Sequence, residues 1–154
     1  GFHYLLLMEK YAQTKPKDTL TTNISAVCMM RDREKDEQVP VLRWKMRDLL
    51  EDGEKSIWFF TRYISPRDID GDGYVDPLII YGTANERNGA YHRIKMLLYY
   101  RYSKVAIRVV TGTLDYERST QYDAAFHTLP QSIQTYIKQL LQQISKDQNF
   151  ILAK

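Results

Sequence analysis

Asp68-Ile69-Asp70-Gly71-Asp72-Gly73-Tyr74-Val75-Asp76-Pro77-Leu78-Ile79-Ile80 is the stretch on which the reading of this chain turns. Four aspartates, Asp68, Asp70, Asp72 and Asp76, share one alternation, with Gly71 and Gly73 among them. In an extended strand alternate residues lie on one face, so these charges repel unless a cation sits between them. Glycine takes positive φ without steric cost, which lets the chain curl and the carboxylates converge. Hard oxygen donors in this number suit Ca2+, which takes roughly 6–8 oxygens in irregular geometry.

Set against a helix–loop–helix calcium site, Asp68, Asp70 and Asp72 take the first three ligand places. Gly73 takes the sharp turn, the Tyr74 carbonyl the backbone ligand place and Asp76 the next one. The place of the final bidentate Glu is held by Ile79. Pro77 then opens Leu78-Ile79-Ile80-Tyr81, a short β-prone run and not a helix. The expectation is a calcium loop between two strands. The competing reading is an Asp/Gly-rich turn that holds no metal.

The stretch from Asp68 to Ile80 resembles the calcium-binding β-hairpin loop of integrin-type FG-GAP repeats, and its first half is similar to dockerin loops. The resemblance covers about a dozen residues and occurs once, so it implies a site and not a propeller. It implies Asp68, Asp70, Asp72 and Asp76 as side-chain ligands and Tyr74 as a backbone ligand.

Around this loop the chain reads as one domain over residues 1–154. Apolar residues make up 44% and charged residues 27%, an ordinary balance for a globular protein. The net charge of +3 is mild and neither demands nor excludes an anionic partner. One cysteine, Cys28, excludes an intrachain disulfide and a multi-cysteine metal site. Within Ala26-Val27-Cys28-Met29-Met30 it reads as a buried small apolar residue. No apolar run approaches the ~18 residues of a membrane-spanning helix. The chain opens at Gly1-Phe2-His3-Tyr4, already strand-like, and the expectation is that a targeting segment has been removed. Modest-affinity calcium loops fill outside the cytosol, which points to a periplasmic or secreted protein.

Strands are expected over Phe2–Glu9, Leu20–Arg31, Val41–Asp48, Ser56–Ile64, Leu78–Thr83, Arg93–Tyr102 and Lys104–Thr111. Polar turns are expected at Thr14–Asp18, Asp32–Gln38 and Asn85–Gly89. Along Val41–Asp48, Leu42, Trp44 and Met46 alternate with Arg43, Lys45 and Arg47; the basic side reads as a solvated face. Ser119–His127 reads as a short helix with Tyr122 and Phe126 one turn apart. Pro130 opens a longer helix, to Ser145, whose apolar stripe is Ile133, Tyr136, Ile137, Leu140, Leu141 and Ile144. The fold class is therefore α+β, a mainly antiparallel β-sheet with a C-terminal amphipathic helix on one face.

Catalytic signatures are missing. His3, His92 and His127 are dispersed, and no nucleophile elbow, P-loop or dinucleotide fingerprint occurs. Asp115 and Glu117 read as surface charges or partners of Arg118. Tyr91-His92-Arg93-Ile94-Lys95 and Tyr99-Tyr100-Arg101-Tyr102 interleave basic and aromatic residues, as base-stacking sheets do. The acidic loop beside them opposes a phosphate backbone. Twelve tyrosines instead suit a protein-recognition surface, with Tyr74, Arg87, Tyr91 and Tyr102 as expected contacts.

In overall arrangement the chain is similar to small bacterial secreted or periplasmic proteins that carry one Asp-rich loop. Some of these sit beside secreted toxins as immunity proteins; others are associated with surface polysaccharide. The resemblance implies a non-enzymatic calcium-binding protein that binds and inhibits a secreted toxin. The alternatives are a surface- or polysaccharide-associated calcium protein and a hydrolase with a calcium-stabilised fold.

Overall fold

The computed structural model describes residues 2–15, 18–31 and 39–153, without the side chains of 13–15, 18 and 19. Pro16 and Lys17 of the first expected turn, and the whole Asp32–Gln38 turn, lie outside the described residues.

Among the described residues nine strands form two antiparallel sheets. The smaller sheet joins β1 (Phe2–Lys15), β2 (Asp18–Arg31) and β3 (Val41–Leu49) in that order. The larger contains β4 (Glu54–Phe59), β5 (Ser65–Arg67), β6 (Asp76–Asn85), β7 (Tyr91–Tyr100), β8 (Ser103–Val110) and β9 (Ser119–Tyr122). Its order is β4-β6-β7-β8-β9, with β5 continuing the β4 side of β6. The helix α1 (Gln131–Asp147) follows. The α+β class holds, but the expected single sheet is two.

Burial explains the layering. β6 is buried along almost its whole length, because both its faces are covered. On one face Ile80, Ile94, Met96, Leu98 and Ile107 pack against Ile133, Ile137, Leu141 and Ile144 of α1. On the other, Ile57, Ile79, Tyr81, Leu97 and Tyr99 pack against Ile24, Ala26, Cys28 and Trp44 of the smaller sheet. Trp44 lies flat on Tyr99, with centroids 3.7 Å apart and planes 1° from parallel. Cys28 is buried between the sheets, as expected.

Polar groups join the layers as well. The Arg93 guanidinium reaches from β7 to Glu54 at 2.8 Å, to Asp48 at 3.1 Å and to the Leu49 carbonyl at 2.9 Å. Burial pushes the Glu54 carboxyl up, but the bonds from Arg93, the Glu51 backbone and Thr83 outweigh it and hold the pKa below the ordinary value. The same balance, struck by Lys95, Tyr81 and the Leu49 backbone, lowers Asp48.

Several boundaries differ from expectation. β1 continues past Glu9 to Lys15, because a register shift at Lys10/Tyr11 lets pairing with β2 resume. In β3 the alternation breaks at Arg43: Cys28 faces Trp44 but Met29 faces Leu42, so Arg43 is an extra residue. Leu42 therefore turns outward, while Trp44 is buried and Met46 half-buried. The strand from Ser56 does not run to Ile64; it stops at Phe59 and a 3-10 turn, Thr61–Tyr63, follows.

Ser119–His127 is not a helix. Ser119–Tyr122 pairs with the free side of β8 as β9, and Ala124–Thr128 is a 3-10 turn. Asp123 fixes this junction. Its carboxylate accepts from the Ala106 N–H at 2.8 Å and Arg108 at 2.5 Å, and its own N–H donates to the Ala106 carbonyl. The Tyr122 and Phe126 rings still meet, with centroids 4.5 Å apart.

Candidate metal site in the Asp-rich loop

β5 and β6 are the two arms of a hairpin, with Ser65 opposite Leu78 and Arg67 opposite Asp76. The Asp-rich stretch is its loop, a loop between strands as the sequence predicts. Gly71 and Gly73 have φ of +79° and +87°, the left-handed values that favour glycine, and the chain curls at both.

That curl turns backbone N–H groups onto the carboxylates. Asp68 accepts from Gly71 at 2.7 Å, from Asp72 at 3.2 Å and from Gly73 at 2.8 Å. Asp70 accepts from the Asp72 N–H at 3.3 Å and from the Tyr100 hydroxyl at 3.2 Å. Asp76 accepts from the Ile69 N–H at 2.9 Å through Oδ2. Its other oxygen, Oδ1, is buried and has no hydrogen-bond partner. A buried carboxylate oxygen without a donor is costly.

Asp68, Asp70 and Asp76 each bring one oxygen into a group whose members lie within 4.8 Å of one another. Burial raises the pKa of Asp76 to about 6, and the charges of Asp70, Asp72 and Asp68 add to the rise. The cluster thus concentrates negative charge, and one oxygen of Asp76 lacks a donor. A small hard cation answers both.

Asp72 stands apart from the three. Its Oδ1 accepts from the Tyr74 N–H at 2.9 Å, and its Oδ2 pairs with Arg101 at 2.9 Å. Those two contacts, the Tyr74 bond first, hold its carboxyl below the ordinary range. The expected ligand set is therefore brought together at Asp68, Asp70 and Asp76, with Asp72 engaged by a guanidinium instead. Tyr74 enters the expected set through its carbonyl; its ring is exposed.

Tyr100 and Arg101, which hold Asp70 and Asp72, were missed by sequence reasoning. They come from the last residue of β7 and the turn after it, 30 and 29 residues along the chain from the groups they touch. Arg101 and Tyr102 form the β7–β8 turn, both at positive φ, +46° and +67°. This hairpin tip and the Asp-rich loop make one unit.

The expected partner contacts do not form one surface. Tyr74 and Tyr102 line one cleft of about 400 Å³ beside the loop. Arg87 lies in the turn after β6, and Tyr91 begins β7, so ten residues of strand, roughly 30 Å, separate them from the loop. Tyr91 is only half-exposed. Its ring packs against Trp58, Phe60 and Phe150, and its hydroxyl donates to Gln148. Tyr91 thus packs against the edge of the core.

Asp115 pairs with Arg118, while Glu117 accepts from the Leu114 N–H at 2.9 Å. His92 Nδ1 lies 3.3 Å from Glu54 without an aligned hydrogen bond. No helix among the described residues is long and apolar enough to cross a membrane. No protein-family model, curated protein or solved structure matches this chain.

Proposed function

We propose that this chain binds one Ca2+ in the loop Asp68–Asp76 and works, with that loop fixed, as a binding protein and not as a catalyst. Asp68, Asp70 and Asp76 supply carboxylate oxygens, and the Tyr74 carbonyl a backbone ligand. Asp72 joins them if the ion draws it from Arg101. The observation that carries the reading is the Asp76 carboxylate, which has one buried oxygen without a donor and belongs to a group of three carboxylates with ligand oxygens within 4.8 Å of one another.

The ion would lock the β5–β6 hairpin against the β7–β8 tip through Tyr100 and Arg101. A rigid loop lowers the ordering cost of binding a partner. Tyr74 and Tyr102, both exposed at this end, are residues of the type that dominates protein interfaces. The narrower role, inhibition of a secreted bacterial toxin by a periplasmic or secreted protein, rests on the resemblance of the whole arrangement alone.

Terbium luminescence tests the ion. Tb3+ bound beside Asp70 lies near Tyr100 and should be sensitised by excitation of tyrosine. The signal should be displaced by Ca2+ and lost in Asp76→Asn. Luminescence that Asp76→Asn leaves unchanged would place the metal elsewhere.

A further inference from the structure

The two sheets meet unequally at their sides. Below β1 and β2 the gap is bridged: Glu9 accepts from the Phe59 N–H at 2.9 Å, and Ser56 exchanges bonds with the Thr21 backbone at 3.2 and 3.4 Å. On the opposite side β3 is the last strand of its sheet, and beneath it runs a groove of about 310 Å³. Its wall is Lys45–Asp48 of β3; its floor is made by Tyr81 of β6 and alternate residues of β7 and β8.

The groove is strongly basic. Lys45, Arg47, Lys95, Lys104 and Arg108 line it, against one acidic lining residue, Asp48. Lys95 is paired with Asp48 and Arg108 with Asp123. Lys45, Arg47 and Lys104 make no ion pair among the described residues. Charges along an edge strand commonly block unwanted pairing, which accounts for Lys45 and Arg47. It does not account for Lys95, Lys104 and Arg108, which stand on the other sheet.

We propose that an extended acidic segment of a partner protein docks here, adding a fourth strand to the smaller sheet along β3. Two features favour a peptide over a nucleic acid. An edge strand offers main-chain N–H and C=O groups that pair with another strand. The aromatic rings lining the groove, Tyr81 and Tyr99, are both buried, so no platform for base stacking exists. Carboxylates on the added strand would meet the cations of the floor, while its backbone completes β3. This rests on the reading of the chain as a binding protein but not on calcium.

The test is fluorescence anisotropy with a labelled octapeptide of alternating Glu and Thr, at about 150 mM salt, where weak surface attraction is screened. Saturable binding is expected, weakened about tenfold or more by Lys104→Glu and by N-methylation of the peptide's pairing edge. Lys104 is exposed, so this variant should fold, and its circular dichroism spectrum checks that; Lys104→Gln repeats the test with less charge change. Absence of saturable binding would overturn the proposal. So would equal binding of the N-methylated peptide or of an oligothymidylate, which would leave only a basic surface. A protein partner whose binding fails with Tyr74→Ala but not with Lys104→Glu would overturn the groove and leave the binding reading standing.

Discussion

The Asp76 carboxylate accepts the N–H of Ile69 at 2.9 Å, and this bond ties the end of the Asp-rich loop to its beginning. It engages one oxygen only. The other is buried and has no donor, and the Asp68 and Asp70 carboxylates lie close by, so the loop is closed by the same residue that makes it electrostatically unfavourable.

That conflict sets a pH dependence. The pKa of Asp76 in the fold is about 6, above the ordinary 3.8, so the folded chain holds this proton more tightly than the unfolded one. The resulting stability is fully present below the ordinary value and lost as pH rises through 6. It amounts to about 3 kcal/mol at most. In chelator, urea unfolding of wild type minus that of Asp76→Asn should lose this amount between pH about 4 and 7. A flat difference would show that the carboxyl is not perturbed.

Asp76→Asn should therefore have opposite effects with and without metal. An amide at this place removes one negative charge and can donate to the neighbouring carboxylates, so the metal-free protein should melt higher. With millimolar Ca2+ the order should reverse, because only wild type gains from an ion bound to the native state, about 2.7 kcal/mol at a hundredfold excess over Kd. Thermal melts of both proteins in chelator and in Ca2+ check this directly.

Arg93 carries the charge that lets Glu54 be buried, and it also pairs with the half-buried Asp48. Arg93→Met should cost about 3–5 kcal/mol, since it leaves Glu54 without its counter-ion. Arg93→Met combined with Glu54→Gln should cost less than Arg93→Met alone. Chemical denaturation of the single and double variants measures the difference; a double variant that is the less stable of the two would contradict the pairing.

On α1, Leu140 is buried against the larger sheet and Gln139 is exposed. Leu140→Ala should cost about 2–5 kcal/mol, and Gln139→Ala should lie within about 0.5 kcal/mol of wild type. Equal losses would contradict the packed face.

The helix was legible because its apolar residues repeat at one period over several turns, and the Asp-rich loop because its spacing is stereotyped. Leu42 and Ser119–His127 were not, for a shared reason. A bulge at Arg43 changes the phase of β3, and the open side of β8 recruits Ser119–Tyr122 as a strand; each is decided by a neighbour distant in sequence. The same holds at the site. Asp68, Asp70 and Asp76 could be read as a group, but nothing local to Asp72 announces Arg101. The division of the strands between two sheets also lay outside local pattern, since alternation shows that a face is buried without showing what covers it.

The central claim is that the Asp-rich loop holds one Ca2+ through the carboxylates of Asp68, Asp70 and Asp76. Titration calorimetry of Ca2+ into metal-free wild type and Asp76→Asn, run side by side at pH about 5.5 and 7.5, tests it most directly. The account predicts a single site in wild type, tighter at the higher pH because the Asp76 proton no longer competes, and no site in Asp76→Asn. Silence in wild type at millimolar Ca2+, or equal binding by the variant, would contradict it.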